Sequence, residues 1–570
     1  MDDYTTLTTK RRRQGCSIAM LVVFLLCSFC EISLAASRSD QEEQNNRSRQ
    51  EAQKRARQEQ QKDVFLQQGT AETREDSLPE ETPSFLIQKI RIVGDNSGRF
   101  SWLARQAGHY NNRRIGKQGL DMIVKRLENA LIDRGFVTSR LLVPEQNLSD
   151  GVLTLRLVTG YVGEIRFASP VDRANWQSAF PCRTGDVLNL RELEQGLEQL
   201  KRLPSQDASF QLVPGQALGL SDIVINLKRN RQDRTVLSLD DSGNQATGRL
   251  QSSFSYGVDN LLGKHDLFQF SYNTDAEKSD SEKGTGGTSF YWSMPDGWWT
   301  YSLAHWSSRY KQTIPIFGAS IEYTGRNETW EAEVERLLHR DKNSKTSLNL
   351  TLQRNCGHSY INDIDIANQR KKTSALAIGL RQRRYIGQEV WNLQAAYRHG
   401  LDWFDAQDDS RISDNYYTSR YGMWTAEVDL DRPVSLFGAA GRYTGIVKGQ
   451  YTNSPLYGNE YFSIGNRYTV RGFDGEETLM GENGWYWRNE FSFAIGKHNK
   501  EIYYGVDYGR VSGQKAAALS GEALLGAVVG LRTPVGAAGK LDVFIGWPLQ
   551  APDEMNSDNP TIGFQCSWQL

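Results

Sequence analysis

Arg471 and Asp507 are the residues whose types and spacing most plainly offer chemistry. Arg471 stands in Val470-Arg471-Gly472-Phe473, and Asp507 follows about one hairpin later in Gly505-Val506-Asp507-Tyr508-Gly509. A guanidinium matches a carboxylate through two parallel hydrogen bonds. A pair held away from water must be matched in this way, because either partner left alone would carry a large desolvation penalty. The chemistry on offer is therefore cohesion between two chain segments, not bond making. The competing reading is an ordinary surface arginine beside an ordinary turn. The sequence contains no Gly-Lys-Ser/Thr phosphate loop, its seven histidines have no triad-like context, and no group of residues has metal-ligand spacing. The expectation is a protein that is not an enzyme, with no catalytic residue, no metal ligand and no bound cofactor.

The elements that must position such a pair are read from the rest of the chain. Its 570 residues are enough for several domains. A net charge of -1 points to neither nucleic acid nor an anionic surface as partner. A mean hydropathy of -0.57 argues against a helical membrane protein, and no run of about 20 apolar residues follows the N-terminal region. Transmembrane strands escape that test, since only alternate residues need be apolar over segments of about ten.

Lys10, Arg11, Arg12 and Arg13 precede an apolar core over 17–30, and Ser33-Leu34-Ala35 supplies the small residues of a cleavage site. Residues 1–35 thus read as a secretory signal peptide. A membrane anchor fits less well because the core is short and Glu31 interrupts it, and Cys27 and Cys30 lack the small-residue run that lipid modification prefers. Removal of the leader takes Cys16, Cys27 and Cys30 with it. The remaining Cys182, Cys356 and Cys566 are too few and too scattered for a disulfide framework or a metal site. Residues 36–64 read as a helix polar on all sides, which suits either a solvated tail or a hydrated channel. Residues 65–84 turn to Gly, Thr, Ser, Pro and acidic side chains and read as a linker.

Two compact α+β modules follow, over 85–160 and 161–229. In the first, FLIQKIRIVG gives a strand; Leu120, Ile123, Leu127 and Leu131 fall at helical spacing, with Gly135 as the stop; VTSRLLV and GVLTLRLV are further strands. The second repeats this order. Asn189 caps its helix with Glu192 three residues on, Leu190, Leu193, Leu197, Leu200 and Leu203 form one face, and Ile223, Ile225 and Leu227 are the buried face of its last strand. These leucines are assigned to cores, not to partner contacts.

The segments RGFVTSRLLVPEQNLSDGVLTLRLVTGYVGEI and AFPCRTGDVLNLRELEQGLEQLKRLPSQDASFQLVPGQALGLSDIVI resemble the paired POTRA domains of two-partner secretion transporters of the hemolysin secretion/activation family. DDSGNQATGRLQSSFSYGVDNLLGKHDLFQFSY, from Asp240, is similar to the opening strands of that family's barrel. Val470, Arg471, Gly472 and Phe473, with Asp507 and Gly509, look like its reentrant-loop lock. The resemblance implies a mainly β fold: a sixteen-stranded antiparallel transmembrane barrel over 230–570, preceded by two POTRA domains and an N-terminal plug helix. It also implies a bacterial outer-membrane translocator with its POTRA domains in the periplasm. Its cargo would be a large unfolded partner exoprotein of the hemolysin, adhesin or contact-dependent toxin type.

The residues themselves agree with a barrel. Phe254 and Tyr256 share one parity, Phe268, Phe270 and Tyr272 another face, and Ile562, Phe564, Cys566, Trp568 and Leu570 line a closing strand. That C-terminal strand resembles the signal read by the outer-membrane assembly machinery, although it ends in Leu570 where an aromatic is more usual. Partners are thus expected to be the exoprotein, outer-membrane lipid and the assembly machinery, with no nucleic acid. Cargo recognition is assigned to a strand edge of the second module, at Ala208, Phe210, Gln211 and Leu212. Proline at Gln211 is expected to remove a backbone donor there and disturb strand pairing. An outer-membrane insertase, which carries more POTRA domains, and a passive porin, which needs none, are the alternatives.

Overall fold

The computed structural model describes residues 41–57, 63–66 and 77–570, apart from 96, 172, 278–281, 317–318, 408–416, 437 and 497–498. The signal peptide assigned to 1–35, the start of the 36–64 helix and residues 67–76 of the linker lie outside the described residues. Residues 41–57 form one helix, α1, and residues 63–66 are not helical. The helix therefore stops short of the expected 64, because the Val64 and Leu66 amides are taken by carboxylates of the second module.

The first module contains β1 (Phe85–Ile87), β2 (Lys89–Val93), α2 (Ser101–Ala107), β3 (Arg113–Ile115), α3 (Lys117–Asp133), β4 (Arg140–Leu142) and β5 (Val152–Val158). The FLIQKIRIV run is two strands, not one. The amides of Gln88 and Lys89 both turn to the Gly151 carbonyl, so β1 pairs with β3 while β2 joins β5 in parallel. Only 140–142 of VTSRLLV is strand, and α2 was not foreseen. Ile123, Leu127 and Leu131 are buried on α3 as the spacing requires. The end of the linker caps that helix, since Glu81 accepts from the Gln118 and Gly119 amides at 2.8 and 2.7 Å.

The second module has β6 (Tyr161–Phe167), α4 (Trp176–Ala179), α5 (Leu190–Lys201), β7 (Gln206–Pro214) and β8 (Leu220–Arg229), in the sheet order β6-β8-β7. Asn189 Oδ1 accepts from the Arg191 amide at 2.8 Å and caps α5. Glu192 does not sit in open solvent at this cap: burial pushes its carboxyl up to about 7.

From Asp233–Asp240 to Thr561–Gln569, sixteen antiparallel strands close into a barrel, the last pairing with the first from Gln565↔Asp240 to Gln569↔Val236. A two-residue strand, Ile364–Asp365, only extends one outer hairpin. The strand Ala319–Arg340 shows why the chain folds this way. Its Trp330 points out and is exposed, while Glu331, Glu333 and Glu335 alternate with apolar neighbours and meet cations inside the barrel. Phe254, Tyr256, Phe270 and Tyr272 stand on the exposed outer face as expected. The three described cysteines are free.

The second module is docked against the short turns at one end of the barrel. Arg202 donates to the His265 carbonyl at 2.9 Å, the Ser205 amide to Asp259 at 2.9 Å, and Arg340 to Gln195 at 3.0 Å. His265, in the turn after Gln251–Asp259, is wholly buried there, and its Nε2 donates to the Asn175 carbonyl at 3.1 Å. Burial pushes its pKa down to about 4; the Arg229 and Arg202 charges act in the same sense, and the Asn175 bond opposes them. Above the ordinary value of 6.5 the ring is neutral whether docked or free. As pH falls from there to about 4, only the free ring takes up a proton, so docking weakens by at most about 3 kcal/mol. Hydrogen exchange around Asn175, corrected for intrinsic rate, is expected to rise between pH 7.5 and pH 5 in the parent and to stay level in His265→Gln. A level profile in the parent contradicts this reading of the interface.

Candidate functional site

The site begins with a long outer loop, 453–482, between the strands Ala439–Thr452 and Asn483–Ile495. The loop folds back inside the barrel. It carries a short hairpin, Phe462–Ile464 with Leu479–Gly481, and buries Ile464, Val470, Phe473 and Leu479 against Tyr486, Val511 and Leu524 of the wall. These apolar contacts hold the backbone of Arg471 beside the strand that carries Asp507, Lys500–Ser512.

Arg471 and Asp507 meet as the motif suggested. Arg471 Nε and Nη2 donate to the two Asp507 oxygens at 2.7 and 3.0 Å, and the Arg471 amide adds a third bond at 3.1 Å. Asp507 is wholly buried and Arg471 nearly so. The remaining donors reach partners that sequence reading missed: Nη1 to Glu490 at 2.5 Å and Nη2 to the Asn489 carbonyl at 2.7 Å. Glu490 is shared with Arg532 at 2.6 Å. The Asn489 amide also donates to Asp507, at 2.9 Å. Pairing between these two strands runs from Asn483↔Ser512 to Trp487↔Tyr508 and resumes at Phe491↔Tyr504. In the interval, Asn489 spends its backbone groups on Arg471 and Asp507, so the loop is spliced into the ladder of the wall.

Glycines make room for this approach. Gly472 has φ of +103°, and a Cβ there would stand 2.6 Å from the Trp547 carbonyl oxygen. On the wall, a Cβ at Gly526 would meet the Arg471 carbonyl at 1.9 Å, and one at Gly509 would meet Val470 at 2.8 Å. Gly509 was in the expected set. Gly526 was not, although a glycine inside a strand is a signal for close backbone approach.

Helix α1 shares the lumen with the loop. Gln44 and Arg47 donate to the Gly458 and Asn459 carbonyls of the loop at 2.7 and 3.0 Å. Lys54 reaches Glu331 at 2.6 Å, Arg55 reaches Glu427 at 2.9 Å, and Lys448 of the wall reaches Glu51 at 2.6 Å. Beside the helix remains a cavity of about 810 Å³ lined by Arg55, Arg381, Arg471, Glu331 and Glu490 among others.

The four residues expected to recognise cargo are far from the lock, on β7, which forms one edge of its sheet. The Asn230 amide donates to the Ser205 carbonyl and the Gly215 amide to Leu220, at 2.8 and 3.0 Å. With the register Gln206↔Arg229 to Pro214↔Ser221, this alternation turns the backbone groups of Gln211 inward to Val224 and those of Ala208, Phe210 and Leu212 outward. The expectation for proline at Gln211 is corrected accordingly: it would break the sheet's own ladder and leave the outward donors in place.

A closed sixteen-stranded barrel, two POTRA modules at its inner end and a loop bonded to the lumenal wall define an outer-membrane transporter of polypeptides. Residues 219–533 match the family model described as haemolysin secretion/activation protein ShlB/FhaC/HecB; residues 85–160 match the ShlB-type POTRA domain and 161–214 a further POTRA domain. The chain is 37% identical over 512 residues to outer membrane transporter CdiB-2 of Burkholderia pseudomallei (strain 1026b), covering 86% of this chain and 88% of that one. It is 24% identical over 400 residues to hemolysin transporter protein ShlB of Serratia marcescens, 70% of each. The solved structure of CdiB from Acinetobacter baumannii superposes with a TM-score of 0.83 at 27% identity, over 92% of this chain and 98% of that one. CdiB from Escherichia coli, at 24% identity and a TM-score of 0.83 over 93% and 99%, shares the fold. The chain belongs to the haemolysin secretion/activation family. It is an outer-membrane transporter of two-partner secretion, with its POTRA domains in the periplasm, and transporters of this kind work with a secreted partner exoprotein.

The lock geometry yields a mutational test. Arg471→Ala leaves Asp507 buried without its cation, and Arg471→Lys cannot reach both oxygens while also serving Glu490 and Asn489. Export measured in cells should fall roughly tenfold or more in either variant while insertion persists, because loss of one partner of a buried pair costs about 3–5 kcal/mol locally. Full export by a stably inserted Arg471→Ala barrel contradicts the assignment.

Proposed function

We propose that the transporter exports a large, unfolded exoprotein of the hemolysin, adhesin or contact-dependent toxin type through a lumen that α1 closes at rest, with Arg471 and Asp507 holding the loop in its transport-competent place. The observation that carries this reading is the filled lumen. An extended chain cannot share the bore with α1, and the bonds that hold the helix are hydrogen bonds and ion pairs to a hydrated wall. Such bonds exchange for water at small net cost, since the desolvation of these partly buried charges offsets much of their mutual attraction and is recovered when the helix leaves. The helix is thus retained by many weak contacts and is able to leave, while the loop, held by a buried cluster and the lock, stays. No nucleotide is needed for this, and direction comes from folding of the cargo outside. Outer-membrane lipid is the partner of the exposed aromatic and aliphatic face, and the assembly machinery is the partner of the C-terminal strand during biogenesis.

Deleting 41–57 while keeping 63–66 is expected to raise single-channel conductance severalfold and to leave export close to the parent level. Unchanged conductance in correctly inserted barrels contradicts the plug and favours a solvated tail.

The POTRA edge is the proposed cargo contact. An unfolded client brings unpaired backbone groups, and the outward donors of Phe210 and Leu212 can meet them by strand addition, whereas the Ala208 amide already donates to Asp207 Oδ1 at 3.0 Å. Because the side chain of Leu212 is partly buried in its module, Leu212→Ala serves as the packing control for Leu212→Pro. Binding of the purified exoprotein should fall roughly tenfold in Leu212→Pro and much less in Leu212→Ala, as loss of a strand-addition hydrogen bond and its neighbours requires. Equal binding by the two variants sinks this edge as the contact.

A further inference from the structure

Residues 63–66 connect the lumenal helix to the periplasmic modules, and they are held as a ligand is held. The Val64 amide donates to Glu198 Oε2 at 3.2 Å, and the Leu66 amide to Glu194 Oε1 at 2.9 Å. Arg340 of the barrel donates to the Val64 carbonyl and to Glu198. Val64 is buried in the core of the second POTRA module with Leu193 and Leu197. Phe65 packs edge-on against Tyr385, ring centres 5.0 Å apart, with the Arg340 guanidinium 5.1 Å from its ring centre. Asp63 is bound by Lys345 and Tyr385 and, at 2.8 Å, by Arg383, all on the barrel.

The spacing explains why this arrangement takes an extended chain. Glu194 and Glu198 lie one turn apart on α5, about 6 Å along the axis. Alternate amides of an extended chain lie about 6.6 Å apart on the same side. Two carboxylates on one helix face thus match two backbone donors, with the chain running antiparallel to the helix. Both carboxylates are already balanced by cations, Glu194 by Arg191 at 2.7 Å and Glu198 by Arg340 at 3.0 Å and Lys345 at 2.7 Å. Their remaining lone pairs accept the Val64 and Leu66 amides. Leu66 contributes little beyond its amide, since the residue is 51% exposed. The selective positions are an aliphatic side chain at 64 and an aromatic at 65.

We propose that Glu194 and Glu198 form a binding site for extended polypeptide backbone on the second POTRA domain, occupied at rest by the chain's own residues 63–66, and that an extended segment displacing them unfastens the lumenal helix. The ligand class is an unfolded chain bearing an aliphatic-aromatic pair with unpaired amides on alternate residues. The inference rests on the reading of α1 as the plug, which the 41–57 deletion tests separately, and not on whether β7 meets the exoprotein.

The test uses the full-length transporter in planar bilayers. Leu66→Pro removes the amide that Glu194 binds; Leu66→Ala keeps it. Loss of a hydrogen bond to a charged group is expected to raise the frequency of large openings roughly tenfold in Leu66→Pro, with Leu66→Ala near the parent. An arm that needs no variant adds a synthetic peptide of residues 61–68 to the POTRA side of parent channels, where it should raise opening saturably. The same peptide N-methylated at the Val64 and Leu66 amides should not. Parent-like gating by Leu66→Pro, equal gating by the two substitutions, an inert native peptide, or equal action of the two peptides overturns the proposal.

Discussion

The structure turns on a carboxylate that water does not reach. Asp507 sits in the barrel wall with no exposure and accepts from the Arg471 side chain, the Arg471 amide and the Asn489 amide. A charge so placed is tolerable only if its partners are fixed, and the main partner arrives on a loop from the outer end of the barrel. The other features of that wall follow from this demand: the interrupted ladder between Trp487↔Tyr508 and Phe491↔Tyr504, and the absence of a side chain at Gly526, where the loop backbone presses. The second carboxylate, Glu490, takes the remaining guanidinium nitrogen and links the lock to Arg532.

Two occupants of one lumen are held by different physics. The loop is anchored by a buried pair and an apolar cluster, both lost only at a cost of several kcal/mol. Helix α1 is anchored by partly buried ion pairs with Glu331, Glu427 and Lys448, whose charges regain water when the helix leaves. A barrel that must pass a chain without dissolving its own wall needs this difference. The firmest hold on the α1 side lies below the lumen, where residues 63–66 are bound jointly by the barrel and the second POTRA domain. Docking of that domain and retention of the helix thereby share Arg340 and Glu198.

How much of this was legible depended on how local each signal was. Ile123, Leu127 and Leu131 on α3 and the Asn189 cap were readable because helical periodicity and capping are written within a few residues. Arg471 and Asp507 were readable through a motif, 36 positions apart. Glu490 was not, since one glutamate among many carries no mark, although its place inside the barrel follows from strand parity once the wall is drawn. The break of FLIQKIRIV into two strands depends on the Gly151 carbonyl, more than sixty residues away. The inward turn of Gln211 depends on register, which alternation alone does not specify. Asp63 to Leu66 fell between a polar helix and a linker and looked like neither core nor site, because their partners, Glu194, Glu198 and Arg340, belong to two other domains.

The central claim is that Arg471 and Asp507 act as one unit inside the wall. A double-mutant cycle with Arg471→Gln and Asp507→Asn, read by urea unfolding of the barrel in lipid, isolates their coupling. A buried, bidentate pair predicts that the double variant is less destabilised than the sum of the singles by about 2 kcal/mol or more, since Arg471→Gln strands the Asp507 charge, Asp507→Asn leaves Arg471 with Glu490 alone, and the double variant strands no carboxylate at 507. Additive single effects, within about 0.5 kcal/mol, would contradict the claim.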